Sequence, residues 1–142
     1  MTKPIYPCLW FDGKAKEAAA FYCSVFENSK IISETGLVVD FELNGKRFIG
    51  LDGGPMYKFT EAVSFVIECE TQQEIDYYWD TLTKDGEESM CGWLKDKYGL
   101  SWQVFPTILP SLLNDPVKGP KVMENFSNIR KFDIAKLIEL TK

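Results

Sequence analysis

The sequence predicts an α+β chain of two βαβββ modules followed by a helical tail. The order strand, helix, three strands occurs twice, over about residues 1–55 and 60–107. Each repeat places an aromatic pair on its helix, Phe21-Tyr22 and Tyr77-Tyr78. Each also closes on a hairpin that turns at a glycine, Gly45 or Gly99, with an aromatic three residues later, Phe48 or Trp102.

Taken in order, "PIYPCLWFD" reads as a strand from about Ile5 to Phe11. Asp12-Gly13 ends it, and Asp12 is the expected cap of the next element. In "AKEAAAFYCSVF", Ala18, Phe21, Tyr22 and Val25 recur at helical spacing. Residues 30–52 hold about three strands, with Asn44-Gly45 as a two-residue hairpin turn between "VVDFEL" and "KRFIGL". "GGPMYKFTE" is a linker, and "AVSFVIECE" restarts the pattern as a strand. Thr71 and Glu74 form a capping box that opens the helix "QQEIDYYWDTLTK". Asp85-Gly86 breaks that helix, and "EESMCGWLKDKYGLSWQVFP" supplies two or three strands. Residues 108–142 read as helices, with Asp133 as the cap of the last.

A length of 142 residues suits one domain, and 45% hydrophobic with 14% aromatic content suits a packed core. A net charge of -5 without a basic stripe argues against nucleic acid or an anionic membrane as partner. No apolar run reaches the roughly 20 residues of a membrane helix, and the opening "MTKPIYPCLWFDG" lacks the apolar region of a signal peptide. The four cysteines are far apart and read as reduced thiols of a cytoplasmic protein. Cys8 is expected to be a small buried hydrophobe, and Cys91, in a turn-rich stretch, to be accessible. The chain has no His, which removes a Ser-His or Cys-His nucleophile system and the commonest metal ligand.

Gln103 stands between Trp102 and Val104 on a strand. An amide in that setting either hydrogen-bonds the protein or orients a ligand. Asp52, ahead of Gly53-Gly54, is a turn cap or a carboxylate at a pocket rim. Trp79 reads as core, and Glu87 and Glu88 as a solvated edge.

The words "LWFDGKAKEAAAFYCSVFENSKI", "GLDGGPMYKFTEAVSFVIEC", "DYYWDTL" and "CGWLKDKYGLSWQVFP" resemble the PhnB-like branch of the vicinal oxygen chelate superfamily. That superfamily includes glyoxalase, bleomycin-resistance and ring-cleaving dioxygenase proteins. The resemblance implies curved mixed sheets, each curling into half of a cup, and a homodimer. It places inward-facing positions at Tyr6 or Cys8, at Ile49 or Leu51, at Ser64 and at Gln103. Metal-using relatives hold His, Glu or Gln there. This set lacks imidazole and carboxylate, so no metal and no cofactor is expected. Trp10 shares a face with Tyr6 and becomes the aromatic candidate for the cup wall. Some members of the branch are called demethylubiquinone methyltransferases. A methyl-donor site typically needs a Gly-rich turn between strand and helix, and Gly53-Gly54 leads into a linker instead.

The expected function is therefore metal-free binding of a small molecule, with Tyr6, Trp10, Asp52, Ser64 and Gln103 as ligand-binding candidates. Two alternatives stand beside it. One is a metal-dependent lyase, isomerase or dioxygenase. The other is a non-catalytic dimeric scaffold.

Overall fold

Strand β1 (Cys8–Phe11) starts three residues later than expected, because Pro4 and Pro7 carry no N–H for a ladder. The computed structural model describes residues 1–142 as two units, Met1–Phe59 and Thr60–Lys142. In the first, β1 is followed by α1 (Ala15–Val25), β2 (Lys30–Thr35), β3 (Val38–Leu43) and β4 (Lys46–Asp52). These form one mixed sheet in the order β1-β4-β3-β2, with β1 parallel to β4 and the other pairs antiparallel. The hairpin turns at Asn44 (φ 52°) and Gly45 (φ 77°), so both central residues take the left-handed conformation that a tight hairpin needs. Helix α1 buries Ala15, Ala18, Ala19, Tyr22 and Val25. The alternate residues Leu9, Phe11, Val39, Phe41 and Phe48 of the sheet are buried with them. The other face of the sheet stays open.

The second unit repeats the plan with β5 (Ser64–Cys69), α2 (Gln72–Thr83), β6 (Glu87–Glu88), β7 (Trp93–Lys95) and β8 (Ser101–Pro106). Sheet order is β5-β8-β7-β6, again with one parallel pair, β5 and β8. The Thr71–Glu74 capping box is formed on both sides. Ile75, Trp79 and Leu82 of α2 are buried, as are Leu94, Trp102 and Val104 of the sheet. Helices α3 (Leu109–Asn114), α4 (Lys118–Met123) and α5 (Ile134–Leu140) complete the unit, with a 3-10 turn at Phe126–Asn128. Asp133 caps α5 by accepting from Lys136 N–H at 3.1 Å.

Side-chain and backbone bonds tie this tail down. Gln72 donates to Phe132 O at 3.1 Å and accepts from Ile134 N–H at 2.8 Å. Cys91 and Gly92 donate to Ile129 O and Arg130 O, each at 2.8 Å. The architecture is thus the expected α+β fold, with two open four-stranded mixed sheets and C-terminal helices. No helix is long and apolar enough to cross a membrane.

Candidate functional site

In the first unit, Asp52 ends β4 and its Oδ1 accepts from Ala15 N–H at 2.8 Å. Lys14, at the N-cap of α1, offers no side-chain bond, so Asp52 supplies the acceptor expected from Asp12. Trp10 lies on the open face and donates its indole N–H to Gly54 O at 2.9 Å. Its ring meets Tyr57 edge-on, with centroids 4.9 Å apart. A side chain at Gly53 would collide with this indole, since a Cβ there would lie 2.3 Å from it. Tyr6 is exposed, and the Arg47 guanidinium stacks over its ring at 4.0 Å while gripping Asp40 at 2.9 and 3.2 Å. Cys8 is exposed, not buried, because alternation along β1 points it away from α1. Its cross-strand partner is Ile49, and that of Trp10 is Leu51.

The second unit builds a more polar surface. On β8, Trp102 and Val104 face α2, so Ser101, Gln103 and Phe105 face the open side. The pairing register then lays Ser64, Ser101, Lys95 and Glu87 in one row across all four strands. Gln103 sits beside that row, between Val66 and Trp93. Its Nε2 donates to Ser64 Oγ at 3.0 Å. No protein donor reaches Gln103 Oε1, which leaves a carbonyl acceptor on the open face. Ser101 is 1% exposed and its Oγ has no hydrogen-bond partner.

Lys95 forms an ion pair with Glu61. Their hydrogen bond holds the Glu61 carboxyl below its ordinary value and raises Lys95. The pair lies at the surface, where solvent screens it, so it stabilises little. Glu88 is not merely a solvated edge residue, since it accepts from the Trp79 indole N–H at 2.7 Å.

Two cavities open on this side. One, of about 450 Å³, is lined by Glu61, Glu87, Glu88, Lys95 and Ser101 among others. The second, of about 400 Å³, has Gln103 in its wall together with Phe105 and residues of the tail. Cys91 and Trp93 border both. Cys91 and Gly92 have φ of 57° and 81°, and a Cβ on Gly92 would lie 2.5 Å from Val104 O. Glycine therefore lets this corner close against β8. Burial pushes the Cys91 thiol up, and its Sγ–H donates to Phe126 O at 3.2 Å. Both effects oppose a reactive thiolate.

The family resemblance marked Ser64, and an amide among apolar strand residues marked Gln103, but Ser101, Lys95 and Phe105 were missed. Alternation counted outward from Gln103 would have found Ser101 and Phe105. The contribution of the tail had no local signal.

No three His, Cys, Asp or Glu side chains converge on a point that could hold a metal ion. Ser64 and Gln103 are neutral, weak donors, so this set does not fit a divalent cation. The Gly53-Gly54 pair leads into an irregular stretch with no helix, and Gly53 N–H bonds Phe11 O at 3.0 Å. A methyl donor's phosphate-free sulfonium cofactor would find no glycine-rich strand-to-helix turn there.

The family model described as 3-demethylubiquinone-9 3-methyltransferase matches residues 3–105. A solved structure described as a putative 3-demethylubiquinone-9 3-methyltransferase, PhnB protein, from Bacillus cereus is 36% identical. That match covers 74% of this chain and 100% of the other, with a TM-score of 0.68. The fold also matches the fosfomycin resistance protein FosX from Listeria monocytogenes, solved with Mn(II) and sulfate. There the identity is 14%, the TM-score 0.56, and coverage 73% of this chain and 89% of that one. A glyoxalase-related enzyme from Fulvimarina pelagi matches at 11% identity and TM-score 0.53, over 74% of this chain and 88% of its own. No curated protein matches the chain. The family match spans more than half of the sequence and agrees with the paired modules and the open sheets. The chain belongs to the PhnB-like family, described by its model as 3-demethylubiquinone-9 3-methyltransferase, within the vicinal oxygen chelate superfamily.

Proposed function

We propose that this protein binds a small molecule without a metal, on the open face of its second sheet, with Gln103 as the polar anchor. The observation that carries the reading is the arrangement of the Gln103 amide. One of its two N–H groups is held by Ser64 Oγ at 3.0 Å, and its carbonyl has no protein partner in a residue that walls a cavity of about 400 Å³. An amide fixed at one end and free at the other is preorganised to accept a hydrogen bond. The volume falls within the roughly 300–1,000 Å³ range of small-molecule pockets.

The first unit contributes candidates of its own. Tyr6 and Trp10 are assigned as aromatic wall residues on its open face. Asp52 is kept as a rim carboxylate, because its second oxygen has no protein partner. A cytoplasmic setting belongs to the same reading and is supported by four cysteines without a disulfide. So does a homodimer, checked by light scattering as a mass twice the 16.3 kDa of the chain; a single-chain mass at tens of micromolar would remove it.

The test is native mass spectrometry of small molecules that copurify with the wild type and with Gln103→Leu. The expected result is a bound molecule in the wild type that is lost in the variant, with unfolding shifted by less than about 1 kcal/mol. A variant that loses several kcal/mol of stability while keeping its ligand would make the amide structural and sink the reading.

A further inference from the structure

Resting on that reading, we infer the chemical class of the ligand: an uncharged molecule with a flat apolar ring system and one O–H or N–H donor. The two cavities on the open side of the second sheet differ in charge. One is lined by Glu61, Glu87, Glu88 and Lys95. The other, which contains Gln103, has no charged residue in its wall. Its surface is made by Trp93, Phe105, Leu109, Leu113, Phe126 and Phe132.

A charged ligand entering that cavity would lose hydration and meet no opposite charge. Rings, in contrast, find aromatic side chains set edge to face. Phe126 and Phe132 lie with centroids 6.3 Å apart and planes at 67°. Two donors of the wall are already committed. The Cys91 thiol hydrogen is directed to Phe126 O, and one Gln103 N–H to Ser64 Oγ. The Gln103 Oε1 acceptor has no protein partner, and a single ligand donor satisfies it. A donor-free apolar molecule would leave this carbonyl desolvated and unpaired. Asn114 is exposed at the rim.

Four probes of one shape test the class on the full chain: 1-naphthol, 1-methylnaphthalene, 1-naphthoate and 1-naphthylmethylammonium, titrated by protein NMR. Naphthol is expected to bind saturably and to shift resonances of Trp93, Gln103 and Phe126. Methylnaphthalene should bind about tenfold more weakly, for want of the donor. The two charged probes should not saturate. In Gln103→Leu the naphthol affinity should fall to that of methylnaphthalene. Leu113→Trp, on the half-buried face of α3, should fill the cavity and abolish binding of both.

Naphthoate or the ammonium binding as tightly as naphthol, with dependence on Gln103, overturns the ligand class and leaves small-molecule binding standing. Equal affinities for naphthol and methylnaphthalene in the wild type remove the donor. Failure of all four probes, while a copurified molecule still depends on Gln103, likewise overturns the class alone. Naphthol bound undiminished in both variants puts the ligand elsewhere and overturns both readings.

Discussion

The Asp96 carboxylate is 3% exposed and accepts from Tyr98 N–H at 2.8 Å, Leu100 N–H at 3.1 Å and the Trp102 indole N–H at 2.9 Å. It thereby fixes the turn at Gly99 and the start of β8, the strand that presents Ser101 and Gln103. Asp96→Ala would leave the Leu100 and Trp102 donors buried without an acceptor, at about 1–3 kcal/mol each. The expected loss is therefore about 2–6 kcal/mol, measured as the urea midpoint at unchanged slope. Asp96→Asn keeps one acceptor oxygen and should lose less. A loss below about 1 kcal/mol for the alanine variant would refute this role. Gln103 was legible because an amide between two apolar strand residues stands out, and Ser64 because the family resemblance marked its position. Asp96 was not, since an acid ahead of a glycine turn reads as an ordinary loop residue. Only the tertiary approach of the Trp102 ring makes it a buried hub. Cys8 fails in the opposite sense: the residue type favours burial, but the pleat turns it to the open face.

At the scale of elements, features whose chemistry lies within four residues were legible. Thr71 and Glu74 satisfy each other across the first turn of α2, and Asp133 accepts from Lys136 N–H at the start of α5. Asn44-Gly45 closes β3 onto β4 with Leu43 opposite Lys46. Features that depend on distant chain were not. The free amide at the start of α1 is met by Asp52, 37 residues on, rather than by Asp12. The start of β1 is set by which residues can donate to β4, so the apolar run from Ile5 overstates it. Strand β2 pairs irregularly with β3 between Ile31 and Ser33, and no sequence pattern foretold that bulge. For the site, the row from Ser64 to Glu87 depends on register across four strands. Alternation gives the face of each residue, but it cannot say which residues stand side by side.

At the scale of the molecule, the family match ends at residue 105, one residue before β8 does, while the second unit runs to Lys142. The match alone suggests that a chain ending at Pro106 is complete. The packing argues otherwise. Leu109, Val122, Phe132 and Leu137 of the tail are all nearly inaccessible to solvent. Burying each large apolar side chain is worth about 1.5–3 kcal/mol, so four contribute about 6–12 kcal/mol. That equals much of the roughly 5–15 kcal/mol by which a whole domain is stable. Truncation also removes the Ile129 and Arg130 carbonyls that accept from Cys91 and Gly92, and the backbone groups clamped by Gln72. It strips the tail wall from the Gln103 cavity as well. A chain ending at Pro106 is therefore predicted to lose cooperative unfolding in its second unit. Trp79, Trp93 and Trp102 report there and Trp10 in the first unit, so single-tryptophan variants followed in urea separate the two. A cooperative transition for Trp79 within about 1 kcal/mol of the full chain would mean that the tail is an accessory, and the cavity it walls would lose its claim to be part of the fold's design.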